Sequence, residues 1–211
     1  YLALPQPSTD SSGESEPHQW ISSEVSRGIV HDLRRRVDAI VIGVQTALVD
    51  DPLLTARPSG TRPLVRVVLD RQARLPVSSR LVQTAQEHPV LVAVGPHAAK
   101  DQIQQLQDMG CEIWHSSTAQ SSQMLLELVQ EFGVRQMTNV LVEGGAQVLE
   151  SCFQADIIDE VWAFLAPKLL DANEPSICLR EILSKTFVEA IDQTGGDLFV
   201  RGLHRRDSLG R

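Results

Sequence analysis

The sequence contains few cysteines. Cys111, Cys152 and Cys178 are widely separated and odd in number. This pattern provides neither the even set of a disulfide framework nor the C-x-x-C spacing of a thiolate metal pair. We therefore expect reduced thiols and a reducing compartment, either the cytoplasm or an organelle.

Long hydrophobic runs are also absent. No apolar stretch reaches the roughly 18 residues needed to cross a membrane, and the first residues lack the charged-then-apolar form of a signal peptide. The formal net charge of -8 disfavours nucleic acid and anionic membranes as partners, because the long-range field repels polyanions. The chain does not begin with methionine, which predicts a processed or excised fragment.

Two common catalytic arrangements are missing as well. The six histidines show no H-x-x-x-H or other ligand spacing, and no serine lies in a G-x-S-x-G turn. We therefore predict no metal site and no Ser-His-Asp catalysis.

What the sequence does contain is an alternation of short Val-, Ile- and Leu-rich runs with helical patterns, which is typical of a sheet with helices packed on its faces. The predicted strands are 38–43, 64–70, 89–95, 111–115, 139–142, 159–166, 186–191 and 197–203, and the predicted helices are 23–36, 97–109, 119–132 and 145–154. Turn residues alone join the last two strands, which favours an antiparallel hairpin. We expect an α/β fold with a mixed, mostly parallel sheet in one domain over residues 1–211. The polar segment 5–19 is either a mobile loop or a disordered linker.

The segment 38–57 carries the strongest signal for a site. Its apolar strand leads into polar residues that include Thr46, Asp50, Asp51 and Arg57. In an open α/β sheet, ligands bind where the strands end at their carboxyl edge. A solvent-facing connection would explain the same polarity, and the two adjacent carboxylates equally suit the capping of a turn.

A second signal is the strand-to-helix turn formed by Glu143, Gly144, Gly145 and Ala146. Glycine lets the backbone approach a ligand closely, and the free N–H groups of the next helix favour an anion such as a pyrophosphate. The motif is not the G-x-G-x-x-G fingerprint, so a tight turn that needs positive φ is an equally good interpretation.

Three arginines are candidates for phosphate binding. Arg71 follows a predicted strand, where a nucleotide 2′-phosphate would require an arginine, although a solvated turn residue is the commoner explanation. Arg34 and Arg57 would converge on a second phosphate if helix 23–36 lies beside the segment 44–57. Without that convergence, Arg34 and Arg57 are each interpreted as a charged surface residue. The basic run that contains Arg34 usually marks a solvated helix face.

Taken in order, these motifs resemble the reductase domain of the bifunctional riboflavin biosynthesis deaminase/reductase family. The similarity runs through SGES (12–15), QWIS (19–22), VHDLR (30–34), the segment 38–57, VRVVLD (65–70), VEGGA (142–146), IIDEVWAFLAPKLL (157–170) and DLFVRG (197–202). It spans nearly the whole chain, and the order and spacing of the motifs are more specific than any one of them. The resemblance implies a dihydrofolate reductase-like fold.

The activity that this resemblance implies is NADPH-dependent reduction of 5-amino-6-(5-phosphoribosylamino)uracil by hydride transfer to ribose C1′. The implied cofactor contacts are Trp20, Thr46, Asp50, Arg71 and the turn Gly144, Gly145 and Ala146, continuing to Ser151. The implied substrate contacts are Ser15, Arg34, Leu54, Arg57 and Glu143. Asp50 would polarise or protonate the reacting centre, and Glu143 would face the pyrimidine or the ribose.

The resemblance further implies a homodimer with the C-terminal strands as the contact region. It implies a cytoplasmic location, or an organellar one in a photosynthetic eukaryote, and leaves open a deaminase domain upstream of residue 1 in the parent protein.

The chain departs from the family pattern at 1–11, where the family has a lysine and a Ser-x-Asp-Gly turn, at the inserted EPH of 16–18, and at DANEP of 171–175. Two alternatives therefore stay open. One is a non-catalytic nucleotide-binding or dimer-scaffold domain, and the other is a reductase for a different phosphorylated or pterin-like substrate.

Overall fold

The computed structural model describes residues 22–60, 63–166 and 184–204. The predicted loop 5–19, the candidate residues Ser15 and Trp20, and the departures at 1–11, 16–18 and 171–175 lie outside these ranges. The chain divides into two compact units, Tyr1–Ile29 with Ile158–Arg211 and Val30–Ile157. A single domain over the whole chain stays a prediction.

The unit Val30–Ile157 is built on a five-stranded sheet. Its strands are β1 (Ala39–Gly43), β2 (Val65–Leu69), β3 (Val90–Val94), β4 (Glu112–His115) and β5 (Val140–Val142), in the order β4-β3-β2-β1-β5. All neighbouring pairs are parallel. Every residue of β1 and β3 is buried, as expected for central strands of a parallel sheet covered on both faces.

The described residues form six helices, of which the first begins in the other unit: α1 (Glu24–Arg34), α2 (Val44–Asp50), α3 (Arg80–Gln83), α4 (Lys100–Asp108), α5 (Ser121–Val134) and α6 (Ala146–Gln154). Successive strand residues point to opposite faces, so the sheet has one apolar core on each side. One core contains Leu106 of α4, and the other contains Leu128 and Phe132 of α5. The four predicted helices are confirmed to within a few residues, whereas α2 and α3 were not predicted. Within the described ranges, no helix is long and apolar enough to cross a membrane.

The other unit contains an antiparallel sheet of β6 (Glu160–Leu165), β7 (Thr186–Thr194) and β8 (Asp197–His204), in the order β6-β8-β7. The predicted hairpin is confirmed, and its turn is Gly195 and Gly196 with φ of 58° and 94°. The α/β class with mostly parallel strands is therefore confirmed, with the strands divided between two sheets. The direction of β6 follows from its pairing with β8, which hydrophobic periodicity does not reveal.

Hydrogen bonds around Asp197 fix the start of α1. Ser23 is the N-cap, because its Oγ accepts a hydrogen bond from the Ser26 backbone N–H at 3.1 Å. Asp197 Oδ2 accepts from the Ser23 N–H at 2.7 Å and from Ser26 Oγ at 2.6 Å. The first turn of α1 is thereby held to the hairpin turn.

Candidate functional site

The carboxyl ends of β1 and β5 lie side by side. The two strands pair in parallel with Val41 opposite Val142, and the Glu143 N–H continues the ladder by donating to the Val41 carbonyl at 3.0 Å. Gly43 therefore begins α2 next to the turn that begins α6. This is the edge at which an open parallel sheet binds its ligands.

The turn before α6 requires glycine. Gly144 and Gly145 have φ of 80° and 85°, which side-chain-bearing residues rarely adopt. A Cβ on Gly145 would lie 3.1 Å from Thr46 Oγ1 and 3.8 Å from the Gly43 backbone nitrogen. The requirement for positive φ is thus present, and the glycine backbone also lies close to Thr46. Thr46 and the turn from Gly144 to Ala146 are brought together as the sequence predicted.

The missing side chain at this turn is what a dinucleotide site would need. No side chain caps the N-terminus of α6, so its first N–H groups stay available to an anion. The residues present at this turn therefore fit the pyrophosphate of a dinucleotide.

Glu143 is held by Arg34, which is the last residue of α1. Arg34 Nε donates to Glu143 Oε1 at 2.7 Å, and Arg34 Nη2 donates to Glu143 Oε2 at 2.5 Å. The carboxylate is buried, with 4% of its side chain exposed, and both oxygens are engaged by this fork. Arg34 is therefore not a solvated surface charge, the alternative to phosphate binding, because a buried carboxylate from a distant segment binds its guanidinium.

The segment after α2 lies against the same end of α1. Arg34 Nη1 donates to the Thr55 carbonyl at 3.2 Å, and a Cβ on Gly60 would lie 3.3 Å from the Arg35 carbonyl. The condition for a joint site, that helix 23–36 lies beside the segment 44–57, is therefore met. Leu54 is buried with φ of 53°, and Arg57 is exposed three residues further on.

His31 belongs to this cluster, although it was not among the predicted site residues. Burial and then the charge of Arg34 lower the pKa of His31, a backbone hydrogen bond at Thr55 raises it, Arg57 lowers it and Glu143 raises it. The available signal was its position three residues before Arg34, which places the two side chains on one face of a helix.

Asp50 and Asp51 have separate roles. Asp51 has φ of 37°, and its Oδ1 accepts from the Arg80 backbone N–H at 2.8 Å. Together with the N-cap Ser79 it thus satisfies the first N–H groups of α3, which is the capping role weighed for this pair. Asp50 ends α2 one turn after Thr46, so these two side chains share a helix face at the candidate site.

Arg71 lies beyond β2, the neighbour of β1 on the side away from β5. Its Nη1 donates to the Ala119 carbonyl at 3.0 Å in the connection after β4. Asp70, just before it, is buried, and burial raises the pKa of its carboxyl. Asp70 Oδ2 accepts from the Leu75 N–H at 2.7 Å, which makes it a structural residue of the loop.

Among the described residues, no group of three or more His, Cys, Asp or Glu side chains is arranged to hold a metal ion. Cys111 and Cys152 are buried free thiols, and burial raises the pKa of each to about 11.

Comparison with protein families matches residues 10–197 to the RibD C-terminal domain. The riboflavin biosynthesis protein RibD of Actinobacillus pleuropneumoniae is 32% identical over 163 residues, which cover 77% of this chain and 42% of that protein. The chain thus spans less than half of that relative. The 2,5-diamino-6-ribosylamino-4(3H)-pyrimidinone 5′-phosphate reductase of Archaeoglobus fulgidus is 30% identical over 197 residues, which cover 87% of each chain.

Solved structures show the same fold. A pyrimidine reductase-like protein from Corynebacterium diphtheriae matches with a TM-score of 0.72 at 20% identity, over 89% of this chain and 84% of that one. Acinetobacter baumannii RibD matches with a TM-score of 0.66 at 22% identity, over 93% of this chain and 54% of that one.

Proposed function

The chain belongs to the RibD C-terminal domain family, and from this membership we propose that it is an NADPH-dependent reductase of riboflavin biosynthesis. Its substrate in this proposal is 5-amino-6-(5-phosphoribosylamino)uracil, reduced at ribose C1′ to the ribitylamino product. The observation that carries the proposal is the meeting of the Thr46 helix with the Gly144–Gly145 turn, beside the cluster of Arg34, Glu143 and the segment 54–57.

We assign the cofactor to the carboxyl edge of the sheet. NADPH, when bound, supplies the hydride. The backbone at Gly144, Gly145 and Ala146 and the hydroxyl of Thr46 would hold its pyrophosphate, supported by the cradle that a Cβ at Gly145 would fill. Arg71, at the end of the neighbouring strand, would bind the 2′-phosphate that distinguishes NADPH from NADH. Ser15 and Trp20 remain predicted contacts outside the described residues.

We assign the substrate to the carboxyl end of β1 at Gly43, on the side opposite to the cofactor. Exposed Arg57 would bind the 5-phosphate, and buried Leu54 would lie beside it. Glu143, fixed by the Arg34 fork, would orient the pyrimidine or ribose hydroxyls. In this arrangement Arg34 acts mainly through Glu143 and Thr55. Asp50 is the proposed group that polarises or protonates the reacting centre.

The archaeal relative supports a second substrate. Its name specifies the 2,5-diamino-4(3H)-pyrimidinone rather than the uracil, and it matches this chain along nearly its full length. The two compounds differ on the pyrimidine ring, so discrimination between them would fall to groups that face the ring, such as Glu143. Steady-state rates with both pyrimidines, at equal NADPH, decide which is the substrate.

The activity test is substrate-dependent NADPH oxidation by the purified chain. Asp50→Asn should abolish turnover, while the matched variant Asp51→Asn should retain it, because an asparagine still caps α3. Arg57→Ala should raise KM with little change in kcat, and Arg35→Ala should have no effect. Tight NADPH binding with no turnover on either pyrimidine would select the non-catalytic scaffold, and oxidation only with a pterin-like compound would select the other reductase.

Cofactor preference has its own test. Arg71→Ala should raise KM for NADPH by about tenfold, corresponding to one charge-assisted contact, and leave KM for NADH unchanged. An equal change for both cofactors would remove Arg71 from the 2′-phosphate site.

We also propose that the protein is a homodimer. β7 lies at one edge of the described three-stranded sheet, and the β7–β8 hairpin exposes large apolar side chains. They are Phe187, Val188, Ile191, Leu198 and Leu203. An uncovered edge strand with apolar neighbours is a surface that proteins normally pair or bury, which supports a contact between two copies.

A further inference from the structure

Charged side chains from three different segments of the chain act on His31. Arg34 lies one turn later on its own helix, Arg57 comes from the segment after α2, and Glu143 comes from the turn after β5. The Thr55 backbone, which also accepts from Arg34 at 3.2 Å, is its polar neighbour. Two arginines and one carboxylate therefore surround the imidazole, and the carboxylate is already engaged by Arg34.

One imidazole nitrogen is left without a partner. Nδ1 is buried and has no hydrogen-bond partner among the described residues. In the tautomer that carries its proton on Nε2, the ring can therefore accept a second proton at Nδ1 without breaking an existing hydrogen bond. In the free protein, burial and the two arginines oppose that protonation by lowering the pKa of His31.

We propose that His31 takes up a proton when a phosphate monoester binds at Arg57, and so becomes a further cation of the substrate-phosphate site. The proposal rests on the proposed function, because it assumes that Arg57 binds the substrate phosphate. A sugar phosphate is mainly a dianion above its second pKa of about 6. Such an anion beside Arg57 cancels the charge that opposes protonation of His31, and its second negative charge favours the imidazolium.

Thermodynamic linkage between proton binding at His31 and phosphate binding fixes the direction of the pH dependence. If the bound phosphate raises the pKa of His31, the ligand must bind more tightly as pH falls through the interval between the free and bound values. Each unit of increase corresponds to about tenfold in affinity across that interval. The phosphate itself has the opposite tendency below its second pKa, because it loses a negative charge, so measurements between pH 6.5 and 8.5 isolate the histidine.

The test uses D-ribose 5-phosphate and the whole chain. Calorimetric titration at pH 7 in buffers of different ionisation enthalpy gives the number of protons taken up, which we expect to approach about one for the wild type. His31→Gln should take up none, bind about tenfold more weakly at pH 6.5, and match the wild type at pH 8.5. His88→Gln, at an exposed position, should behave as the wild type throughout.

Imidazole ¹H–¹⁵N spectra add a direct readout. The titration midpoint of His31 should move upward at saturating ribose 5-phosphate, while those of the other histidines stay in place. If ribose 5-phosphate binds with no proton uptake, and His31→Gln binds it equally at every pH, His31 is only a packing residue and the proposal fails while the phosphate site stands. If ribose 5-phosphate does not bind the wild type at all, the phosphate site fails with it.

Discussion

Arg66 shows how one buried residue can position another. It lies in β2 with no exposed surface, and its guanidinium has no carboxylate partner among the described residues. Backbone carbonyls and a hydroxyl solvate it instead, including those of Leu53 at 3.1 Å, His88 at 2.5 Å and Thr84 Oγ1 at 2.9 Å. Burial lowers the pKa of Arg66 to about 10. Because one of these acceptors immediately precedes Leu54, Arg66 fixes the start of the proposed substrate segment.

Replacement of Arg66 should therefore affect stability and substrate affinity together. Arg66→Met removes the donor while leaving the carbonyls buried, and we expect the free energy of unfolding to fall by about 3 kcal/mol. KM for the pyrimidine should rise more than KM for NADPH, since Leu53 adjoins the substrate side. Urea denaturation and steady-state kinetics measure the two effects.

Arg80→Met, at an exposed position, is the matched control and should stay within about 0.5 kcal/mol of the wild type. Equal stability of Arg66→Met and the wild type would show that the carbonyls find other donors.

The helices and strands differ in how readily the sequence revealed them. The buried strands β1 and β3 are continuous apolar runs, because both faces of a central parallel strand meet a core, and they were predicted within two residues. α2 was expected as a polar connection. Its only buried residues are Val44 and Ala47, too few to give a helical period, and its helicity depends on packing against the sheet.

Only the part of the site that depends on a local sequence pattern could be predicted. Gly144 and Gly145 were identified because a strand-to-helix turn is a local pattern. The Arg34–Glu143 fork joins residues 109 positions apart, and neither residue carries a local sign of the other. The roles of His31 and Asp51 likewise depend on neighbours that only the folded chain brings together.

The first turn of α1 should depend on Asp197. Its carboxylate accepts from the Ser23 N–H and from Ser26 Oγ while only 3% exposed. Asp197→Ala would leave both donors unsatisfied in a buried place, at a cost of about 2 kcal/mol. We expect a lower Tm and faster amide hydrogen exchange in the first turn of α1.

Asp197→Asn keeps one carbonyl oxygen and should recover part of the loss, whereas Asp192→Ala, at an exposed position of β7, should change little. Hydrogen exchange in α1 that is unchanged by Asp197→Ala would exclude the carboxylate as its anchor.

The whole chain is acidic, with a formal net charge of -8, yet both proposed ligands are anions. Long-range attraction therefore cannot gather them, and binding must rely on local groups at the carboxyl edge of the sheet. In the proposed assignment, Arg57 and His31 would serve the substrate side and Arg71 the cofactor side.

Assembly of two copies is the remaining prediction for the molecule as a whole. Ile191 is 61% exposed on β7, and a lysine there would place a charge within the proposed apolar contact. We expect Ile191→Lys to convert the dimer into monomer in light scattering coupled to size-exclusion chromatography. Val134→Lys makes the same change at a site 79% exposed on α5 and should leave the dimer intact. If both variants and the wild type share one mass, whether of monomer or of dimer, the hairpin is not the contact between copies; circular dichroism on each variant separates this result from unfolding.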